Sequence, residues 1–537
     1  MDGRVAKIDY SDKQVLLIES SGNMRSTIFY MLRSLGVVNL KAITINDRVL
    51  PEISENNYDV ILLGHNVNDR FTGIQLLEEC RYKGFIKPSA CWVFMTSDAS
   101  QEVILHAIDS HPDELIMKPF SIDELKHRLD SILHRKAIFK PVDDALDVGD
   151  YPTAISFCRN NFASYDTEYD ESQIILARLL NQFGKPKEAA DIAEKQYWKT
   201  HDKEAGLNWA ESLLALNRIK EAKALLGELI EEYPLFIAAY DLLSSSHEKN
   251  GDLDKACEVV VDATQKSPLG IPRQMVLGQL ATKTKRLDVA GGAYKKSITL
   301  GKRSCYKSPE PFLRLANVKR LEMQGAEGAV AVELLNECEN TIKQAYQAFP
   351  RDRALQVKAS LLKSEIYNQV GDTDEANKCT RDAQRINAEL EAPLDLDREL
   401  LHVMGDAVPI LEPAVAKRSV PPGKKHDPDM SLKVNRLGVK HYLSGKMPQA
   451  LKYFGLATEY DTANVSALLN LAQLFLESAR DSEDKRAERL KMVARYLKLS
   501  ERLSLEGVEQ DKQYQLKHYL SHDVSLLPSG SLGNLLR

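Results

Sequence analysis

Four short β-rich runs in this 537-residue chain end in side chains that could do chemistry. Glu19 and Ser20 follow Val15–Ile18, Gly64 follows Tyr58–Leu63, Thr96 follows Cys91–Met95, and Lys118 follows Glu114–Met117. A carboxylate, two hydroxyls and an ammonium can hold an anion by charge and hydrogen bonding, and Gly64 would widen such a pocket beside Lys118. A hard dication wants several oxygen ligands, which one carboxylate does not supply, so no metal is expected. His65 and Asp69 are the remaining groups near these runs. Elsewhere there is no P-loop, dinucleotide-binding glycine turn, His-Glu-x-x-His or Gly-x-Ser-x-Gly, and histidines occur singly. No enzyme, no catalytic residue and no cofactor are expected.

The elements that would position these groups are readable. With Leu40–Ile45, the runs make five strands separated by amphipathic helical stretches, the pattern of a parallel α/β sheet. In such a sheet the ligand site lies outside the carboxyl ends of the strands, where Glu19, Ser20, Gly64, Thr96 and Lys118 fall.

The stretches Leu16-Leu17-Ile18-Glu19-Ser20, Tyr58-Asp59-Val60-Ile61-Leu62-Leu63, Met95-Thr96-Ser97 and Lys118-Pro119-Phe120 resemble, in order and spacing, the receiver domain of bacterial response regulators. The resemblance implies a flavodoxin-like domain. It also implies that an acidic pair after the first strand binds magnesium, an aspartate after the third accepts a phosphoryl group, and a Thr or Ser and a Lys read the phosphate. Here Thr96 and Lys118 are in place, but the acceptor position is Gly64, the acidic pair is Glu19-Ser20, and the aromatic switch position is Leu115. A glycine forms no acyl phosphate. The resemblance further implies pairing, with itself or a second protein, through the last two helices and intervening strand, residues 100–133.

From residue 137 another order takes over. Ala189, Ala222, Ala256 and Ala290 recur at intervals of 33, 34 and 34, each after a turn-forming stretch such as Lys249-Asn250-Gly251-Asp252. Twelve residues before them stand Ala177, Ala210, Ser244 and Gly278. Small residues on both sides of a close helix crossing avoid an overpacking cost of ~1 to 3 kcal/mol. A helix-turn-helix unit of this period resembles the tetratricopeptide repeat, TPR. Ala154, after a Gly149-Asp150-Tyr151 turn, opens the ladder, and Ala376 extends it. Phe139-Lys140-Pro141 reads as a break, followed by a short first helix from Val142 to Val148.

Prolines and lysines fill Ala392 to Asp429, which reads as a flexible or surface-wrapping linker. One repeat then returns, with Gly438 twelve before Ala450, and a second hairpin follows with a basic helix around Lys485 to Arg502. The predicted organisation is a receiver over 1–136, a repeat array over 137–391, the linker over 392–429, TPR-like hairpins over 430–507, and a helix with a disordered tail over 508–537. The fold class is an α/β domain with a five-stranded parallel sheet followed by an all-α superhelical solenoid. Trp198 and Trp209 read as packing residues. Asn208, Asn317, Asn435 and Asn470 lie on first helices, where peptide-clamping TPR domains carry asparagines.

A net charge of -6 gives no basic field for nucleic acid, and none is expected as a partner. Seven unclustered cysteines suit a reducing compartment. No run is long enough to span a membrane, and the first twelve residues lack a signal-peptide pattern. These readings point to a cytoplasmic, non-catalytic signalling adaptor, with a protein partner in the repeat groove. Two alternatives stay open: a regulator phosphorylated at an unusual acceptor such as His65 or Asp69, and a small-anion sensor.

Overall fold

The computed structural model describes residues 8–163, 168–404, 428–461, 463–482, 486–501, 503, 505 and 507–537. It divides into two units, residues 1–418 and 419–537.

The first unit opens with a five-stranded parallel sheet in the order β2-β1-β3-β4-β5. Its strands are β1 (Gln14–Ile18), β2 (Asn39–Ile43), β3 (Val60–His65), β4 (Cys91–Thr96) and β5 (Glu114–Met117). Between and after them run α1 (Gly22–Ser34), α2 (Val49–Glu55), α3 (Gly73–Tyr82), α4 (Gln101–Asp109) and α5 (Ile122–Asp147). Helices cover both faces, so β3 and β4 are buried throughout and read as apolar runs, not as alternations. Ser21, Thr72, Ser100 and Ser121 begin four of these helices by accepting a backbone N–H of the first turn, which satisfies donors that the helix leaves over.

The expected break at Phe139-Lys140-Pro141 is absent: α5 is one helix with Pro141 inside it. Proline removes one helical hydrogen bond, but here the ring faces solvent while Phe139, Val142 and Ala145 are buried against the next hairpin. Tertiary burial outweighs the local loss. The receiver's last helix therefore supplies the first helix of the array, and residue 136 falls mid-helix.

The hairpins continue as α6 (Tyr151–Asn160), α7 (Tyr169–Gln182), α8 (Pro186–Thr200), α9 (Lys203–Ala215), α10 (Ile219–Glu232), α11 (Ile237–Lys249), α12 (Leu253–Lys266), α13 (Ile271–Lys283) and α14 (Leu287–Gly301). Each turn is built alike. Gly184, Asn217, Gly251 and Lys285 take positive φ, and the following N–H reaches back to the carbonyl of Leu180, Leu213, His247 or Ala281 at 2.8 to 2.9 Å. Every packing position named above is buried, including Ala154, Ala177, Ala189, Ala210, Ala222, Ala256, Ala290, Ala376 and Ala450. At Gly278 an added Cβ would come within 2.5 Å of the Tyr294 ring, and at Gly438 within 2.6 Å of Phe454. There the small residue makes room for an aromatic ring one turn beyond the alanine. Ser244 instead donates to the carbonyl of Ala256 at 3.0 Å. Trp209 is partly buried, and Trp198, though 59% exposed, sets its edge against Trp209 with ring centroids 6.1 Å apart.

Wider hairpins follow, α15 (Glu310–Glu322) with α16 (Gly328–Ala348) and α17 (Arg353–Val370) with α18 (Thr373–Ala388). The proposed linker contains a helix that sequence reading missed, α19 (Leu396–Val403), whose Leu400 and Val403 pack on α15 and α17. Most of the linker, residues 405–427, lies outside the described residues, as do Lys485 and Arg502.

The second unit pairs α20 (Pro428–Leu443) with α21 (Met447–Tyr460) and α22 (Val465–Asp481) with α23 (Arg486–Ser500), then adds α24 (Gly507–Leu520). Part of the basic face of α23 turns inward: Arg486 and Arg489 donate to the carbonyls of Ala479 and Ser478 at 2.9 and 3.0 Å, filling acceptors at the end of α22. The segment after Pro528, expected to be disordered, has a defined place against α20, α22 and α24. No helix among the described residues is long and apolar enough to cross a membrane.

Candidate functional site: the strand-end pocket and the α4 face

Side chains alternate along β1, so Glu19, just beyond Ile18, turns toward the face covered by α1 and α5. Its carboxylate is 1% exposed. One oxygen accepts the N–H of Ser21 at 2.9 Å and the other lies 3.0 Å from the Lys118 ammonium. Lys118, with 7% of its side chain exposed, also donates to the carbonyl of His65 at 3.4 Å. Arg25 holds the turn by donating to the Glu19 carbonyl at 2.7 Å and the Ser20 carbonyl at 3.4 Å.

Gly64 explains how the carboxylate fits. A Cβ there would lie 2.2 Å from Glu19 Oε2 and 3.2 Å from the carbonyl of Ile18. No carbon tolerates the first distance, so the missing side chain at 64 and the inward carboxylate at 19 are one feature. This corrects the expectation that Gly64 opens room for an anion. The freed volume holds a carboxylate, which would repel one.

The other expected groups serve the scaffold. Thr96 is fully buried and its hydroxyl accepts the N–H of Asp98 at 3.0 Å, fixing the turn into α4. His65 is 4% exposed and its ring packs tilted against Phe94, with centroids 5.5 Å apart. Its Nδ1 accepts the N–H of Ile74 at 3.4 Å. Burial pushes the His65 pKa down to about 4, against the pull of Asp98 and with the help of Lys118, so the ring is neutral at pH 7. A buried ring is badly placed to receive a phosphoryl group from solution. Leu115 packs into the core cluster around Phe94. The structure thus joins Glu19, Gly64 and Lys118, while Thr96 holds the backbone of Asp98 and Ser20 offers its carbonyl to Arg25. Among the described residues no group of three or more His, Cys, Asp or Glu could hold a metal ion.

Residues 100–133 were expected to offer a pairing surface, but α4 is covered by the chain's own repeats. Leu105 inserts among Ile237, Tyr240 and Ala263. Gln101 donates to the carbonyl of Lys266 at 3.3 Å. At the other end of α4, Asp109 accepts from Ser267 and from Arg273, both at 3.0 Å. Arg273 is gripped on its far edge by both oxygens of Asp241, at 2.8 and 2.7 Å. Burial opposes its charge, but the two carboxylates outweigh that and hold its pKa above the ordinary value. Beside this contact lies a cavity of about 390 Å³ bordered by Glu78, Arg81, His106, Ser244 and Gln279. Nothing in sequence flagged Asp109 and Arg273, because partners 164 residues apart leave no periodic trace.

The four asparagines separate into two uses. Asn208 donates to the carbonyl of Ile174 in the preceding hairpin at 3.2 Å, a repeat-to-repeat tie. Asn317, Asn435 and Asn470 donate to later segments lying against the hairpins, at the carbonyls of Met404 and Leu536.

A flavodoxin-like sheet with a lysine and threonine at its strand ends, continued by helical hairpins, defines a receiver domain fused to tetratricopeptide repeats. Comparison with known proteins places the same two parts in the same order. Residues 15–130 match the response regulator receiver domain and residues 204–235 a tetratricopeptide repeat. The chain is similar to the chemotaxis protein CheY of Pseudomonas aeruginosa, 26% identical over 122 residues, covering 23% of this chain and 97% of that protein. It is 28% identical over 126 residues to the transcriptional regulatory protein CiaR of Streptococcus pneumoniae, covering 24% of this chain and 54% of CiaR. Among solved structures, the C-terminal part of a TPR repeat-containing protein from Cytophaga hutchinsonii covers 49% of this chain and 99% of its own, at 12% identity and a TM-score of 0.38. A TPR protein of Thermus thermophilus covers 36% and 98%, at 21% identity and a TM-score of 0.24.

Proposed function

We propose that this chain is a non-catalytic signalling adaptor of the cytoplasm, in which a receiver domain without phosphotransfer chemistry is held against a repeat array that binds a protein partner. The receiver-plus-repeat architecture supports signalling through protein–protein interaction. The observation that carries the finer reading is the Glu19–Lys118 pair in the space that a side chain at 64 would need. The lysine that would read a phosphoryl group is already neutralised by a buried carboxylate, and no carboxylate projects from position 64 to accept one. Phosphoryl transfer depends on in-line positioning and on metal-held charge, and this pocket provides neither.

The partly buried Asp109–Arg273–Asp241 contact supports a second element of the reading. With α4 tied to the repeats, any protein that displaced or tightened that contact would couple the two parts. The test uses the full chain, because a cut at 136 would sever α5 and uncover α4. Incubation with a small phosphodonor and magnesium, followed by intact mass, should leave the mass unchanged. Stoichiometric addition of a phosphoryl group would overturn the reading.

A further inference from the structure

The groove of the second unit is not empty. Residues 528–537 lie along it as neither helix nor strand, bending at 529–530 and 532–533, and the helices read mainly their backbone. Asn470 receives the N–H of Leu536 on its Oδ1 at 2.8 Å and returns its own N–H to the Leu536 carbonyl at 2.7 Å, where Asn435 also donates at 3.1 Å. Gln473 donates to the carbonyl of Gly533 at 2.8 Å, and Lys512 to that of Asn534 at 2.9 Å. Glu477 accepts the N–H of Leu532 at 2.8 Å, and Arg480 donates to the carbonyl of Gly530 at 2.7 Å. Two of these groups are charged and deeply buried, Glu477 at 1% and Lys512 at 7% exposure. Burying ionised groups is costly unless they are hydrogen-bonded, and this segment supplies part of the bonding.

Side chains of the segment are used sparingly. Leu532 is buried against Leu476 and Leu516, and Leu535 packs near Val439 and Phe454, while Ser531, Asn534 and Arg537 are exposed. Paired backbone contacts from asparagine and glutamine with pockets for selected side chains are how a groove takes an extended peptide. No helix or hairpin of the unit would have to open for the segment to leave.

We infer that this groove is a binding site for an extended peptide with leucines at the spacing of Leu532, Leu535 and Leu536, and that residues 528–537 are a tethered occupant which such a peptide must displace. The inference rests on the reading of the repeats as partner-binding surfaces and is independent of the receiver. A tethered occupant competes at high effective concentration, so external ligand binds weakly until the occupant is released.

The test uses the full chain and a fluorescent peptide of the sequence of residues 528–537, followed by anisotropy. The variant Leu532→Asp/Leu536→Asp should bind the peptide at least about tenfold more tightly than the unaltered chain, and adding Asn470→Ala should abolish that gain. Equal binding by both chains, or no binding by the variant with its helical content intact, would overturn the proposal. A measurement on the unaltered chain decides independently of whether the variant folds. The amides of Leu532 and Leu536, which Glu477 and Asn470 hold, should exchange hydrogen slowly and become faster when excess unlabelled peptide is added. Free exchange from the start, or protection that excess peptide leaves unmoved, would also overturn it. Neither result bears on the phosphodonor experiment, so the two readings fail separately.

Discussion

The strand-end pocket and the groove beyond residue 428 are both filled by the chain itself, with very different fillings. In the pocket a single carboxylate, Glu19, is fixed on a buried strand end and paired with an ammonium that is 7% exposed. In the groove the filling is a stretch of backbone held by polar side chains, with Leu532 as its buried apolar anchor. The pocket cannot open without exposing an unpaired charge in the core. The groove can exchange its occupant for water or for another peptide. Closure by a side chain ends a binding function, whereas closure by a segment regulates one.

The largest effect should come from breaking the pocket's pair. Glu19→Ala leaves Lys118 buried beside a backbone carbonyl, and removal of one partner of a buried pair costs about 3 to 5 kcal/mol. Urea unfolding followed by circular dichroism, with hydrogen exchange on β1, β3 and β5, should place the loss in the receiver and leave the second unit unmoved. In the groove the matching change, Leu532→Ala, removes buried apolar volume worth about 2 to 3 kcal/mol. That loss should appear as faster exchange of the Leu532 and Leu536 amides, with the helices of the unit still protected. Global unfolding of the second unit by this change would show that the segment is core and not occupant.

A double-mutant cycle sharpens the account of the pocket. Gly64→Ala should cost about 1 to 3 kcal/mol by overpacking against the Glu19 carboxylate. In Glu19→Ala that carboxylate is gone, so adding Gly64→Ala should cost much less than it does alone, leaving only the closer approach to the Ile18 carbonyl. Additive losses would mean that position 64 and Glu19 do not compete for the same space.

Sequence and structure part company along the same line. The strands of the sheet and the alanine ladder were legible because they repeat, the strands as buried apolar runs and the alanines at the period of the hairpin. The turn ladder was half visible: Gly184 and Gly251 announce positive φ, but Lys285 takes it with no such signal. What escaped depends on where a side chain or segment goes. Glu19 could be read as a lone carboxylate but not as the occupant of the space at Gly64. Pro141 looked like a helix end because local propensity favours that, while burial of Phe139 and Val142 decides otherwise. The tail from Pro528 read as disordered, yet the small residues Ser529, Gly530 and Ser531 allow its backbone to lie close against helices.

Changes of pH separate the two sites. His65, held near a pKa of about 4 by burial, would titrate near 6.5 in the unfolded chain. Between those values the unfolded state binds the extra proton, so receiver stability is complete above pH 6.5 and falls as pH drops toward 4, by at most about 1.4 kcal/mol per unit. Burial lowers the Lys512 pKa from its ordinary 10.5 to about 7, with Glu477 opposing the shift. The sign is the same but the window is higher: stability of the closed groove is greatest above about pH 10 and declines as pH falls toward 7, where the buried amine takes up its proton. Asn470 and the Asn534 carbonyl face that amine as acceptors, so it stays hydrogen-bonded in either state and only the charge is penalised. Denaturant midpoints stepped from pH 10 to 4 should therefore show the second unit weakening first and the receiver later. His65→Phe should remove only the acidic slope and Lys512→Met only the alkaline one. A single shared slope would mean that the two closures are not separate.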